Sequence, residues 1–122
     1  MLTLAHLDRQ ELLALIEHAG IYNDPGAFKA GWRAVLDARM AQARAAYDNA
    51  YAAWAPLSNR ARADAESART TIEFRGRDPV AMRKFAESRA SARAAADAWK
   101  KVRAAEQARE KIAALLRLVG RL

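Results

Sequence analysis

Large apolar residues recur at helical intervals through the first half of the chain, at Phe28, Trp32, Leu36, Met40, Tyr47, Tyr51 and Trp54, with Ala43 and Ala50 between them. From Leu36 onward the steps alternate four and three. That is heptad spacing, which winds two helices about each other in a left-handed sense. A second periodic stretch, Pro79 to Val119, presents Val80, Met82, Phe85, Ala92, Ala95, Trp99, Val102, Ala105, Ile112, Leu115, Leu116 and Val119. Asp78 suits its N-cap, Pro79 its first helical position, and Gly120 follows its last apolar residue. At 1.5 Å per residue the stretch predicts a helix about 60 Å long.

A shorter helix precedes these over residues 8–19. Asp8 and Glu11 have the spacing of a capping box, flanked by Leu7 and Leu12 at the staple positions. Leu12, Leu13, Leu15 and Ile16 give it an apolar side. Gly20 and Ile21 suit a Schellman terminus, and Tyr22–Gly26 reads as a turn, with Asp24-Pro25 starting the next helix. Pro56 removes one backbone donor and predicts a kink or short break between arms 25–55 and 57–73, without reversal, because Ala61, Ala65 and Ala68 continue the seam beyond it. Residues 70–74 lose helical preference, and Arg75–Pro79 is the turn.

A hairpin about Gly76 would pair residues whose numbers add to roughly 152. Trp54 then faces Trp99, Tyr47 faces Ala105, Met40 faces Ile112, Leu36 faces Leu116 and Ile72 faces Val80. The alanine-rich stretch 58–71 falls opposite 86–98, also alanine-rich, so that thin zones meet thin zones and two backbones can approach closely. The predicted architecture is all-α, a single domain over 1–122: a long antiparallel helical hairpin with the short N-terminal helix capping its open end over Trp32, Leu36, Leu115 and Leu118. Two long helices with an alanine middle bury little area. Either Pro56 folds the arm into a three-helix bundle, or the arm packs on another copy or a partner.

Composition sharpens this picture. Of the 122 residues 52% are hydrophobic, but many are alanine, the strongest helix former, and only five Gly and three Pro interrupt them. There is no Cys, which excludes disulfides and thiolate metal sites. Met1–Ala19 lacks the basic start and apolar run of a signal peptide, and no apolar stretch reaches the ~18 residues of a membrane span. The expected location is the cytoplasm. The net charge of +7 is uneven: residues 1–56 hold five Lys/Arg against six Asp/Glu, whereas residues 57–122 hold sixteen against eight. Such asymmetry points to an anionic partner for the second half.

Candidate chemistry is sparse. His6 and His18 have neither metal-ligand spacing nor a carboxylate set beside them. No Gly-rich phosphate loop exists, and Ser58, Ser67, Ser88 and Ser91 lack a histidine base. Asp97 has the spacing to pair with Lys101. No enzyme activity, cofactor or metal is expected.

The basic residues carry more information. With Phe85, Ala92 and Trp99 assigned to the seam, Arg89, Arg93, Lys100 and Arg103 line one flank of the last helix. At the hairpin tip Phe74 stands among Arg75, Arg77, Arg83 and Lys84. It can stack on a ligand there, but packing against Met82 and Phe85 to close the hairpin is the favoured role. Lys111–Leu122 is basic and amphipathic, and packing on the first helix accounts for its leucines without a membrane surface. The expected function is therefore binding, with an acidic protein or nucleoprotein complex engaged through the basic C-terminal half. A narrower form is a mobile-element product that blocks a host nucleic-acid machine. Direct nucleic-acid binding stays open. The alternative is a coiled-coil scaffold that pairs with copies of itself.

Overall fold

A computed structural model describes residues 6–19 and 25–121. Three helices follow in order: α1, Arg9–Ala19; α2, Pro25–Arg75; and α3, Pro79–Gly120. Among the described residues there is no strand, and no helix is long and apolar enough to cross a membrane. The long helices α2 and α3 pack against each other as a hairpin that turns at Gly76. The Gly20–Ile21 terminus and the Tyr22–Asp24 part of the turn lie outside the described residues. Packing falls into two compact units, Met1–Ala45 with Glu106–Leu122, and Ala46–Ala105.

The first unit holds the larger side chains. Leu7, Leu15, Trp32, Val35, Leu36 and Val119 form a buried cluster, with Leu12, Phe28, Leu115 and Leu116 against it. The capping box forms as the spacing predicts. The Glu11 amide donates to Asp8 Oδ1 at 2.8 Å, and the Asp8 amide donates to Glu11 Oε1 at 3.1 Å. The same Glu11 carboxylate pairs with Arg39 of α2, so one side chain both starts α1 and ties it down. Phe28 meets the Trp32 ring edge-on at 6.3 Å.

The second unit contains only the two long helices. Along α3 the covered positions are Ala81, Lys84, Ser88, Ser91, Ala95, Ala98, Val102 and Ala105, with every residue between them exposed. These steps alternate three and four without a fault. Along α2 the matching row is Tyr47, Ala50, Trp54, Leu57, Ala61, Asp64, Ala68 and Thr71, all buried or half-buried. The expected register holds: Trp54 and Trp99 have ring centroids 4.7 Å apart, Ser91 donates to Asp64, and Lys84 donates to Ser67 at 3.1 Å. Only Ala68, Ala81 and Val102 are fully buried here.

Three expectations change. Helix α2 runs through Pro56 with no break. Pro56 faces outward and Ala52, whose carbonyl loses its helical donor, is exposed, so water can satisfy the group. Residues 70–74 remain helical, held by Thr71 Oγ1 donating to the Ser67 carbonyl at 2.8 Å and by the Gly76 amide donating to the Ile72 carbonyl at 2.9 Å. The α3 seam keeps Ala95, Val102 and Ala105 of the expected row, but at three other places it lies one residue away. Phe85, Ala92 and Trp99 sit beside it rather than in it: the seam positions next to them are taken by Lys84, Ser91 and Ala98, while the Trp99 ring still meets Trp54.

Leu36 is fully buried in the first unit. Leu36→Ala should lower the unfolding free energy by about 2–5 kcal/mol, measured by urea denaturation followed by circular dichroism.

Candidate functional site

The revised seam fixes where the basic residues of α3 point. At about 100° per residue, Arg89, Arg93, Lys100 and Arg103 fall within an arc of about 80°, on the side of α3 turned away from α2. They form an outward face, not the flank that a seam through Phe85 and Trp99 implied. All four are exposed. Arg89 lies over the Phe85 ring, 5.3 Å from its centroid, and Lys100 is 3.8 Å from Asp97. The expected partner of Asp97 was Lys101; the observed pair is one residue closer along the helix and lies far out in solvent. Such exposed pairs hold their partners weakly. Arg93 and Arg103 make no ion pair with a described carboxylate.

The tip residues do not form one cluster. Phe74 is 85% exposed, so it does not close the hairpin against Met82 and Phe85, themselves 48% and 43% exposed. The reason is rotational. Relative to the seam, Phe74 leaves α2 on one side of the helix pair, whereas Phe85 and Met82 leave α3 on the other. Arg75 Nε donates to Asp78 Oδ2 at 2.8 Å. Arg77 and Arg83 are exposed. Lys84 occupies a seam position, half-buried, and spends its ammonium group on Ser67. The free cations at this end are thus fewer than the sequence implies.

The turn itself is tightly specified. Gly76 takes φ +64°, a left-handed conformation that an L side chain adopts with strain. The Ala81 amide donates to Asp78 Oδ1 at 2.8 Å, which caps α3 as predicted. That amide, assisted by the Arg75 guanidinium and the Val80 amide, holds the Asp78 carboxyl below its ordinary value near 3.8 against a smaller opposing effect of desolvation.

Sequence reading missed a second surface. Tyr51 and Ile72 on α2, with Phe85 and Trp99 on α3, line one broad side of the helix pair. Tyr51 is 5.3 Å from Trp54, which in turn meets Trp99, and Ile72 shares a shallow groove with Ala65, Phe85 and Arg69. The seven-residue spacing of the covered positions was the available signal, obscured because Lys84, Ser88 and Ser91 are polar.

In the first unit a cleft of about 370 Å³ opens between α1 and α2, lined by Glu11, Ala14, Gly31, Val35, Ala38 and Arg39 among others. Of its three charged lining residues, Asp8, Glu11 and Arg39, the last two pair with each other. Among the described residues no group of three or more metal-ligating side chains gathers. His6 lies ahead of α1, and the side chain of His18 lies outside the described residues.

A depressed carboxyl stabilises the fold above its unfolded pKa, and that contribution is lost as pH falls through the folded value. The melting-temperature gap between the wild type and Asp78→Ala should be widest at neutral pH and close as pH drops below 3.8. A gap that stays constant in a calorimetric pH series contradicts this role for Asp78. No protein-family model, curated protein or solved structure matches this chain.

Proposed function

We propose that this protein acts by binding rather than by catalysis, engaging an acidic protein surface or a nucleoprotein complex through the outward basic face of α3. The observation that supports the reading best is the placement of Arg89, Arg93, Lys100 and Arg103 on one exposed arc, with Arg93 and Arg103 in no ion pair with a described carboxylate. Four cations on one side of a helix meet a polyanion together, and each contact displaces counterions. The residues also lie away from the seam, so the fold does not need their charge and a partner can use it. A mobile-element inhibitor of a host nucleic-acid machine is one protein of this kind.

Self-association as a scaffold is the second reading, favoured by the apolar surface at Tyr51, Phe85 and Trp99. Sedimentation over a range of concentrations separates the two: a scaffold gains mass with concentration, and a binding module does not.

The direct test titrates labelled polyglutamate and duplex DNA with the full chain, from about 50 mM to about 200 mM salt. Binding should fall steeply with salt, and the double variant Arg93→Glu, Lys100→Glu should abolish it. Which of the two polyanions binds distinguishes an acidic protein partner from a nucleic acid. If neither binds at the lowest salt, the reading is wrong.

A further inference from the structure

The pair of helices in the second unit is unfinished. Its seam holds Tyr47, Trp54 and Leu57 at one end and mostly Ala and Ser beyond them, and Tyr51, Ile72, Phe85 and Trp99 lie outside it. On α2, Tyr51, Ser58, Ala65 and Ile72 follow one another every seven residues. On α3, Phe85, Ala92 and Trp99 do the same. Counting from the covered rows, both sets leave the seam on the same side of the antiparallel pair. Two observed contacts anchor that placement, one near each end: the Tyr51–Trp54–Trp99 ring contacts, and the groove of about 290 Å³ that Ala65, Ile72 and Phe85 share. No residue in the two sets carries a charge.

We propose that this stripe is a docking groove for one amphipathic, acidic helix of a partner protein, seated lengthwise between α2 and α3. The proposal deepens the acidic-surface reading above and rests on it.

Three features choose that occupant. First, the apolar groups repeat every seven residues, about 10.5 Å, on both walls, which is the two-turn repeat of a third helix. Successive nucleotides of a stacked strand have no such spacing. Second, the floor offers aromatic, aliphatic and alanine side chains, with the Ser58 and Tyr51 hydroxyls among its few polar groups. With the Trp99 indole N–H added, the polar groups are still few, and such a floor suits the apolar side of a helix better than a phosphate backbone. Third, the border is cationic. On the α3 side Arg89, Arg103, Arg93 and Lys100 outnumber the one carboxylate among them, Asp97, which is 3.8 Å from Lys100, and the contact of Arg89 with Phe85 places a guanidinium at the edge of the stripe. The α2 side is mixed, with Arg62 and Arg69 beside Asp48, Glu66 and Glu73.

A second copy of this chain fits less well. Residues 46–105 hold twelve Lys/Arg against seven Asp/Glu, so each copy brings a net +5 to the contact. The carboxylates it can offer to the α3 border are diluted by Arg62 and Arg69. An acidic helix offers them without interruption.

The test uses the full chain and three probes: a helical peptide of about three heptads with Leu on one side and Glu on both flanks, a scrambled peptide of the same composition, and polyglutamate. The patterned peptide should bind at least about tenfold more tightly than the scrambled one. Ala92 is exposed in the floor of the stripe, so Ala92→Arg adds bulk and positive charge there without opening the seam. It should weaken the patterned peptide by about tenfold or more while leaving polyglutamate binding unchanged or stronger. Ala65→Arg, on the facing helix, should act in the same way. If Ala92→Arg strengthens all three probes equally, attraction is by charge alone: the groove proposal fails and the acidic-surface reading stands. If no probe binds, both fail. A concentration-dependent dimer of the wild type that Ala92→Arg dissolves assigns the groove to a second copy and overturns the proposal.

Discussion

Close approach of α2 and α3 through residues 46–105 sets the character of this protein. Ala61, Ala68, Ala81 and Ala95 line the seam with almost no side-chain volume, and Ser88 and Ser91 add little more. Backbones that come together over such residues gain dispersion contacts along their length but remove little apolar area from water. Beyond Tyr47 and Trp54, toward the Gly76 turn, they leave little space for rings. Trp99, Phe85 and Tyr51 are therefore displaced to the side of the pair, where they stay between a third and a half exposed. The exposed apolar stripe follows from the narrow seam.

The unit built from the chain ends and α1 solves the same problem differently. There Trp32, Leu36 and Val119 supply volume, and Leu15 of α1 joins them together with Leu7 just ahead of that helix. Glu11 links local and tertiary structure, since the carboxylate that caps α1 also meets Arg39. Truncating it removes a cap and leaves a half-buried guanidinium without its partner, so its loss should cost more than either contact alone suggests. Among the described residues the second unit holds only two helices, and its apolar stripe is left uncovered.

Much of this was legible from the residues. The capping box of Asp8 and Glu11, the Asp78 cap and the pairing of Trp54 with Trp99 all follow from short-range spacing and from arithmetic about one turn. The misreadings share a cause. Phe85 and Trp99 drew the seam toward themselves because size usually marks the core, whereas the α3 side of this seam is mostly small residues, with Lys84 and two serines among them. One residue of offset, about 100° of rotation, was enough to put Arg89, Arg93, Lys100 and Arg103 on an outer face rather than a flank. It also set Phe74 on the wrong side to meet Phe85. Pro56 misled for a different reason: the rule that proline ends helices assumes the orphaned carbonyl has no other partner, and on an outward position water provides one.

The Asp64–Ser91 and Lys84–Ser67 contacts have a further consequence for alignment. A ribbon of alanines is nearly featureless, and two such ribbons could slide past each other by seven residues at a time with little change in packing. The two polar contacts act as detents against that motion. Slipping by one repeat would bring Asp64 opposite Lys84 or Ala98 in place of Ser91, and would separate Lys84 from Ser67. Groups of this kind lower the total stability of a coiled coil while selecting a single alignment. They therefore keep Tyr51 level with Trp99, and with them the phase of the uncovered stripe.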